Sequence, residues 1–211
     1  MSKLLLQLVV SHRDCLNTIE YGSSYNFLLK DTADQLNITF RPTDLVTLKS
    51  VEEIPDFIID MHRRQCKSDL LLDWLLDTIT LKNNDDDDDA KWLANYMNDN
   101  NNNNVKLLAL CNFDAYSDDL NFVFGQAHMN GRVAAVYVPR LTQEFYGLQK
   151  NENLFLQRVL KEAVHEIGHA FGLGHCPISR CVMHFSNSIS DTDAKAKDFC
   201  ENCRISIDKR L

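Results

Sequence analysis

The sequence predicts a mixed α/β (α+β) domain, and three observations carry that expectation. Short apolar runs of strand length alternate with helical periodicity through the first third of the chain. Val105 to Cys111 is a near-continuous apolar run, typical of an inner strand covered on both faces. From Asn153 to Phe171 apolar residues recur at helical spacing, through Leu156, Val159, Leu160, Ala163, Val164 and Ile167. At 211 residues, 45% hydrophobic and 25% charged, residues 1–211 have enough apolar material to form one sizeable domain around a core.

Along the chain, Leu4 to Val10 reads as a strand and Tyr25 to Leu36 as a helix. Ile38 to Phe40 reads as a second short strand stopped at Pro42. Leu70 to Leu81 has helical spacing, with Leu71, Trp74, Leu75 and Ile79 on one face. Residues 83–104 form a low-complexity Asp/Asn-rich insertion, read as a solvated loop within the domain. Its apolar island, Trp92 to Met97, is expected to dock back as a short helix. Asn121 to Gly125 and Arg132 to Val138 are two further strands, with Asn130-Gly131 as turn material between them.

The net charge is −8, and five negative charges sit in the run Asp85 to Asp89. That balance argues against nucleic-acid and anionic-membrane partners, which would need clustered Lys and Arg. The first ten residues hold one Lys and an apolar run broken by Gln7, with no small-residue cleavage site after them. They read as a core strand and not as a signal peptide. No stretch approaches the ~18 to 20 consecutive apolar residues that cross a bilayer. The expectation is a soluble, cytoplasmic or otherwise intracellular monomer.

The chemistry is concentrated in His165-Glu-Ile-Gly-His169-Ala-Phe-Gly172-Leu-Gly-His175. Two histidines four residues apart lie on one helix face, so their imidazoles can converge on one ion. Glu166 sits ~100° round the helix from His165, where it can flank a metal without ligating it and act as general base. On a continuing helix His175 would lie ~9 Å beyond His169 and ~120° round the axis, out of reach of the same ion. Gly172 removes the difficulty, because glycine accepts the positive φ that ends a helix and turns the chain back. Three neutral imidazoles then hold Zn²⁺ with one position open, the arrangement of a catalytic site. A non-enzymatic, zinc-stabilised interaction module is the alternative, but it would not need the Glu166 carboxylate.

The seven cysteines are Cys15, Cys66, Cys111, Cys176, Cys181, Cys200 and Cys203. The first three are scattered and read as small buried apolar groups. The last four follow the pattern C-x₄-C, 18 residues, C-x₂-C. Paired cysteines so spaced suit a tetrahedral, all-thiolate structural zinc, with two disulfides as the rival reading. Zinc on Cys176 and Cys181 would fix the third histidine and the segment Cys181-Val-Met183 together. The cofactor expectation is therefore two Zn²⁺ per chain, one catalytic and one structural. His184 reads as a partly exposed turn residue, and His12, His62 and His128 lack ligand spacing.

The histidine motif resembles the zinc signature of the metzincin metallopeptidases. Met183, in Cys181-Val-Met-His-Phe-Ser-Asn187, matches the methionine that the clan places in a tight turn, as an apolar floor beneath the metal. With the four cysteines, the resemblance narrows to the archaemetzincins. Asp119-Leu-Asn-Phe-Val-Phe-Gly125, Pro139-Arg-Leu141 and Arg158-Val-Leu-Lys-Glu-Ala163 extend it over roughly the second half of the chain. The resemblance implies a zincin-like fold: a mixed, twisted sheet above a cleft, the metal helix below it, and a small C-terminal zinc-bound part with a final helix. It implies a peptidase in which Glu166 takes a proton from a metal-activated water and passes it to the departing amine. It also implies a peptide or protein substrate paired along an edge strand, with Asn121 to Gly125 the candidate. No tyrosine follows Tyr146, so the tyrosine that some metzincins add near the metal has no counterpart here.

Overall fold

The computed structural model describes residues 3–9, 24–41, 45–48, 54–81 and 105–211. The 83–104 insertion, Trp92 to Met97, His12 and Cys15 lie outside the described residues. A five-stranded sheet has the order β2-β1-β5-β8-β7, built from β1 (Lys3–Val9), β2 (Leu45–Leu48), β5 (Val105–Cys111), β7 (Gly125–Ala127) and β8 (Val133–Tyr137). The first four strands in that order are parallel, and β7 closes the edge antiparallel to β8, with Gly125 opposite Val136. A small second sheet joins β3 (Ile59–Asp60), β4 (Gln65–Lys67) and β6 (Ala115–Tyr116).

Every residue of β5 is buried, and its alternation feeds two cores. Leu108 and Leu110 face α1 (Ser24–Phe40) and α3 (Glu152–Ala170), with Val159, Ala163, Val164 and Ile167 of α3 packed against them. Leu107, Ala109 and Cys111 face α2 (Ser68–Leu81), through Leu71, Leu72 and Leu75. Cover on both faces is the reason the strand reads as an unbroken apolar run. The helix expected over Leu70–Leu81 is thus present, with Leu71 and Leu75 buried and Trp74 half-buried.

Two expectations are corrected. Ile38 to Phe40 is not a strand but the last turn of α1. Leu36 and Phe40 share its buried face while Ile38 is 71% exposed, and the Phe40 ring stacks on Phe171 at 5.6 Å. Helical packing thereby overrides the strand preference of Ile-Thr-Phe. Asn121 to Phe124 is also not a strand, because β7 begins only at Gly125. Phe122 is diverted to stack under the Arg140 guanidinium at 4.4 Å, and Val123 and Phe124 bury in opposite cores.

The sheet and the long helix are locked together at one corner. Asn130, in the β7–β8 turn at φ 52°, donates its N–H to the His169 carbonyl at 2.9 Å. Lys106 donates to the Gly131 carbonyl of the same turn at 2.6 Å. The start of α3 is capped by Asn151, whose side chain accepts from the Leu154 N–H at 3.0 Å. Beyond it come α4 (Ile189–Ala194) and α5 (Glu201–Asp208), the latter being the final helix that the resemblance implies. Among the described residues no helix is long and apolar enough to cross a membrane.

Candidate active site and thiol cluster

His165 and His169 project from the last two turns of α3, where both are buried. The helix then stops at a Schellman motif. Gly172 adopts φ 84°, its N–H meets the His169 carbonyl at 2.7 Å, and the Leu173 N–H meets the Gly168 carbonyl at 2.9 Å. Arg210 donates to the Phe171 carbonyl at 2.7 Å, completing the cap. The reversal brings the His175 ring to 5.4 Å from that of His165 and 4.8 Å from that of His169. One ring nitrogen from each histidine lies within 4.8 Å of the others, so the structure brings the three candidate ligands together.

The rings are oriented by backbone carbonyls. His165 Nδ1 lies 2.7 Å from the Val182 oxygen, and His169 Nδ1 lies 2.7 Å from the Leu173 oxygen. A carbonyl only accepts, so each Nδ1 carries the proton and each Nε2 is bare. Those two bare nitrogens face each other at 3.0 Å. Two acceptor lone pairs so placed repel unless a cation lies between them, and the donor set therefore fits a metal ion. Burial, the largest cause in each case, holds all three imidazoles below the usual histidine range, His169 at about 4. They are neutral at pH 7, as metal ligation requires.

Glu166 is buried and lines a cavity of about 250 Å³ with the three histidines, Gly125 and Phe185. Burial raises its carboxyl well above the usual range; nearby Glu162 adds to the rise, and Lys195 opposes it. A Cβ built on Gly125 would lie 2.5 Å from Glu166 Cγ and 2.6 Å from Oε1. The edge strand thus passes directly over this carboxylate, and only glycine permits the approach.

Met183 is fully buried, and its Sδ would lie 2.5 Å from a Cβ on Gly168. Glycine in α3 is what lets the methionine pack against that helix. The turn around Met183 serves two sites at once. Its Val182 oxygen holds His165, and its Met183 oxygen accepts the Cys176 N–H at 2.8 Å. Cys176, Cys181, Cys200 and Cys203 place their sulfurs within 4.8 Å of one another. None is in a disulfide, and Cys176 and Cys200 are 3.8 Å apart. The Cys203 backbone amide holds the Cys200 thiol below its usual range, while burial pushes Cys203 and Cys181 up.

The remaining sequence candidates fall elsewhere. His184 is half-buried in the methionine turn, with Nδ1 2.9 Å from the Cys176 oxygen. His62 is exposed, and His128 lies 3.3 Å from Asp73. Cys66 and Cys111 are buried in the α2-side core. Two residues in and beneath the cleft escape sequence reasoning: Glu162 lines it, and Lys195 is buried against Glu162. Glu162 lies one helical turn before Glu166, a spacing that was available but carries no motif. Lys195 has no local signal at all.

The model of Peptidase family M54 matches residues 19–209. Over 104 residues the chain is 51% identical to an archaemetzincin of Pyrococcus horikoshii, covering 49% of this chain and 55% of that relative. The chain thus spans about half the length of the first curated relatives it matches. An archaemetzincin of Saccharolobus solfataricus is 35% identical over 170 residues, 78% of this chain and 92% of its own. The crystal structure of a zinc-dependent peptidase from Methanocorpusculum labreanum superposes with a TM-score of 0.72 at 27% identity, over 96% of this chain and 99% of that one. With 191 of 211 residues inside the family match, the chain belongs to Peptidase family M54.

Proposed function

We propose that this chain is a zinc-dependent peptidase, with Zn²⁺ held by His165, His169 and His175 and with Glu166 as general base. The observation that carries the reading is the pair of bare Nε2 atoms facing each other at 3.0 Å in one cleft with the buried Glu166 carboxylate. Zinc bound there supplies Lewis acidity and a water acidified towards neutrality. Glu166 would take the water proton and return it to the departing amine. The outer edge of β7 supports β-augmentation of an extended peptide, since Gly125 places that edge directly over Glu166.

Cys176, Cys181, Cys200 and Cys203 form a closed four-thiolate set, and we assign it a second, structural zinc. Its load passes through the methionine turn to His165, so the two metals share one backbone segment.

The test is cleavage of a mixed peptide library by the purified chain. Cleavage is expected to cease on chelation and to return with added Zn²⁺; a folded, zinc-loaded chain that cuts nothing sinks the proposal. A Gly125→Ala variant is expected to keep both metals and lose about 100-fold in kcat, because the new methyl displaces Glu166 by on the order of 1 Å. Unchanged turnover in that variant would show that Glu166 does not work from the position it holds here.

A further inference from the structure

Beneath the cleft lies an ion pair that the proton-transfer scheme does not use. Lys195 is 2% exposed overall and its side chain is fully buried, and its Nζ is 2.9 Å from Glu162 Oε1, itself a side chain only 3% exposed. The ammonium approaches off the hydrogen-bonding direction, so the contact is chiefly charge on charge. Oε1 also accepts the Thr192 hydroxyl at 3.0 Å. Desolvating two such charges carries a cost that an apolar pair of equal volume avoids, so stability alone is a poor reason for the pair.

Its position offers another reason. Glu162 and Glu166 are one turn apart on α3 and both line the cleft. Two buried carboxylates at that spacing repel each other, and the cationic partner of the first relieves the second. The field of Lys195 reaches further: it acts on Glu166 and on all three histidines. The segment that carries Lys195 is also firmly attached. Arg158 grips Asp193 with two bonds of 2.7 Å, and Lys161 donates to the Thr192 and Asp193 carbonyls at 3.0 and 2.9 Å. The lysine is thus held at a fixed depth under the metal helix.

We propose that Glu162 and Lys195 are positioning residues for Glu166. Lys195 cancels the charge of Glu162, so the repulsion on Glu166 is relieved and its carboxylate stays against Gly125, in the cleft it shares with the imidazoles. The inference rests on the reading of Glu166 as general base.

The test replaces the pair together, Glu162→Leu with Lys195→Met, which preserves volume and leaves no orphan charge. With the melting temperature and both metals retained, kcat is expected to fall at least about tenfold at unchanged KM, the scale on which misplaced catalytic groups act. An unchanged kcat in that folded variant overturns the proposal and leaves the pair a structural clamp. Should the double variant not fold, Thr192→Val removes only the hydroxyl bond to Glu162. A smaller fall in kcat at constant KM then supports the positioning role, and wild-type kcat rejects it. Glu166→Gln, assayed in parallel, separates the two ideas: full activity there refutes the base assignment itself, however the pair behaves.

Discussion

Glu166→Gln is expected to leave both metal sites filled and to lower kcat by about 10²- to 10⁴-fold, the usual contribution of a positioned general acid–base. The amide has the shape of the carboxylate, so the packing against Gly125 survives and only the ability to hold a proton is lost. The residue is buried, 4% exposed, and its burial raises its proton affinity. With peptide binding along the edge of β7, as proposed, the carboxylate takes no part in ground-state binding, so KM should change little. A loss confined to kcat is the signature of an interaction made only in the transition state. Turnover within a factor of two of wild type would remove Glu166 from the mechanism.

Elemental analysis of the purified chain is expected to give two zincs, with His165→Ala losing one and Cys200→Ala losing the other. His165 contributes a bare nitrogen 3.0 Å from that of His169, and without it the remaining two histidines offer no closed grip. Cys200 lies 3.8 Å from Cys176, and its N–H reaches the Cys181 sulfur at 3.3 Å, so its removal opens the four-thiolate set. The two losses should not be independent. Cys176 is bonded to the Met183 carbonyl, and its neighbour in that turn, Val182, orients His165. Cys200→Ala is therefore expected to weaken the surviving histidine site by about 10- to 100-fold in a chelator competition, the usual effect of disturbing groups that orient metal ligands. His165→Ala should leave the thiolate site at full affinity. A single zinc, lost only on the histidine change, would return the four cysteines to free thiols.

The sequence by itself determined what depends on local spacing. The i, i+4 histidines, Gly172 as the turning point and His175 beyond it are fixed by helix geometry and by the one residue type that tolerates φ 84° without strain. The length of α3 and the burial of β5 followed from periodicity for the same reason, since each residue's environment repeats with its neighbours. The tertiary structure alone decided the rest. Whether Ile38 to Phe40 is strand or helix was settled by Phe171, which lies far along the chain yet stacks on Phe40. That β7 starts at Gly125, not at Asn121, was settled by Arg140 drawing Phe122 aside. Glu162 and Lys195 meet because α4 is clamped onto α3, a contact between residues 33 positions apart that no window of sequence contains. Local sequence sets backbone preferences and ligand spacing, whereas the pairing of buried charges depends on which surfaces the folded chain brings into contact.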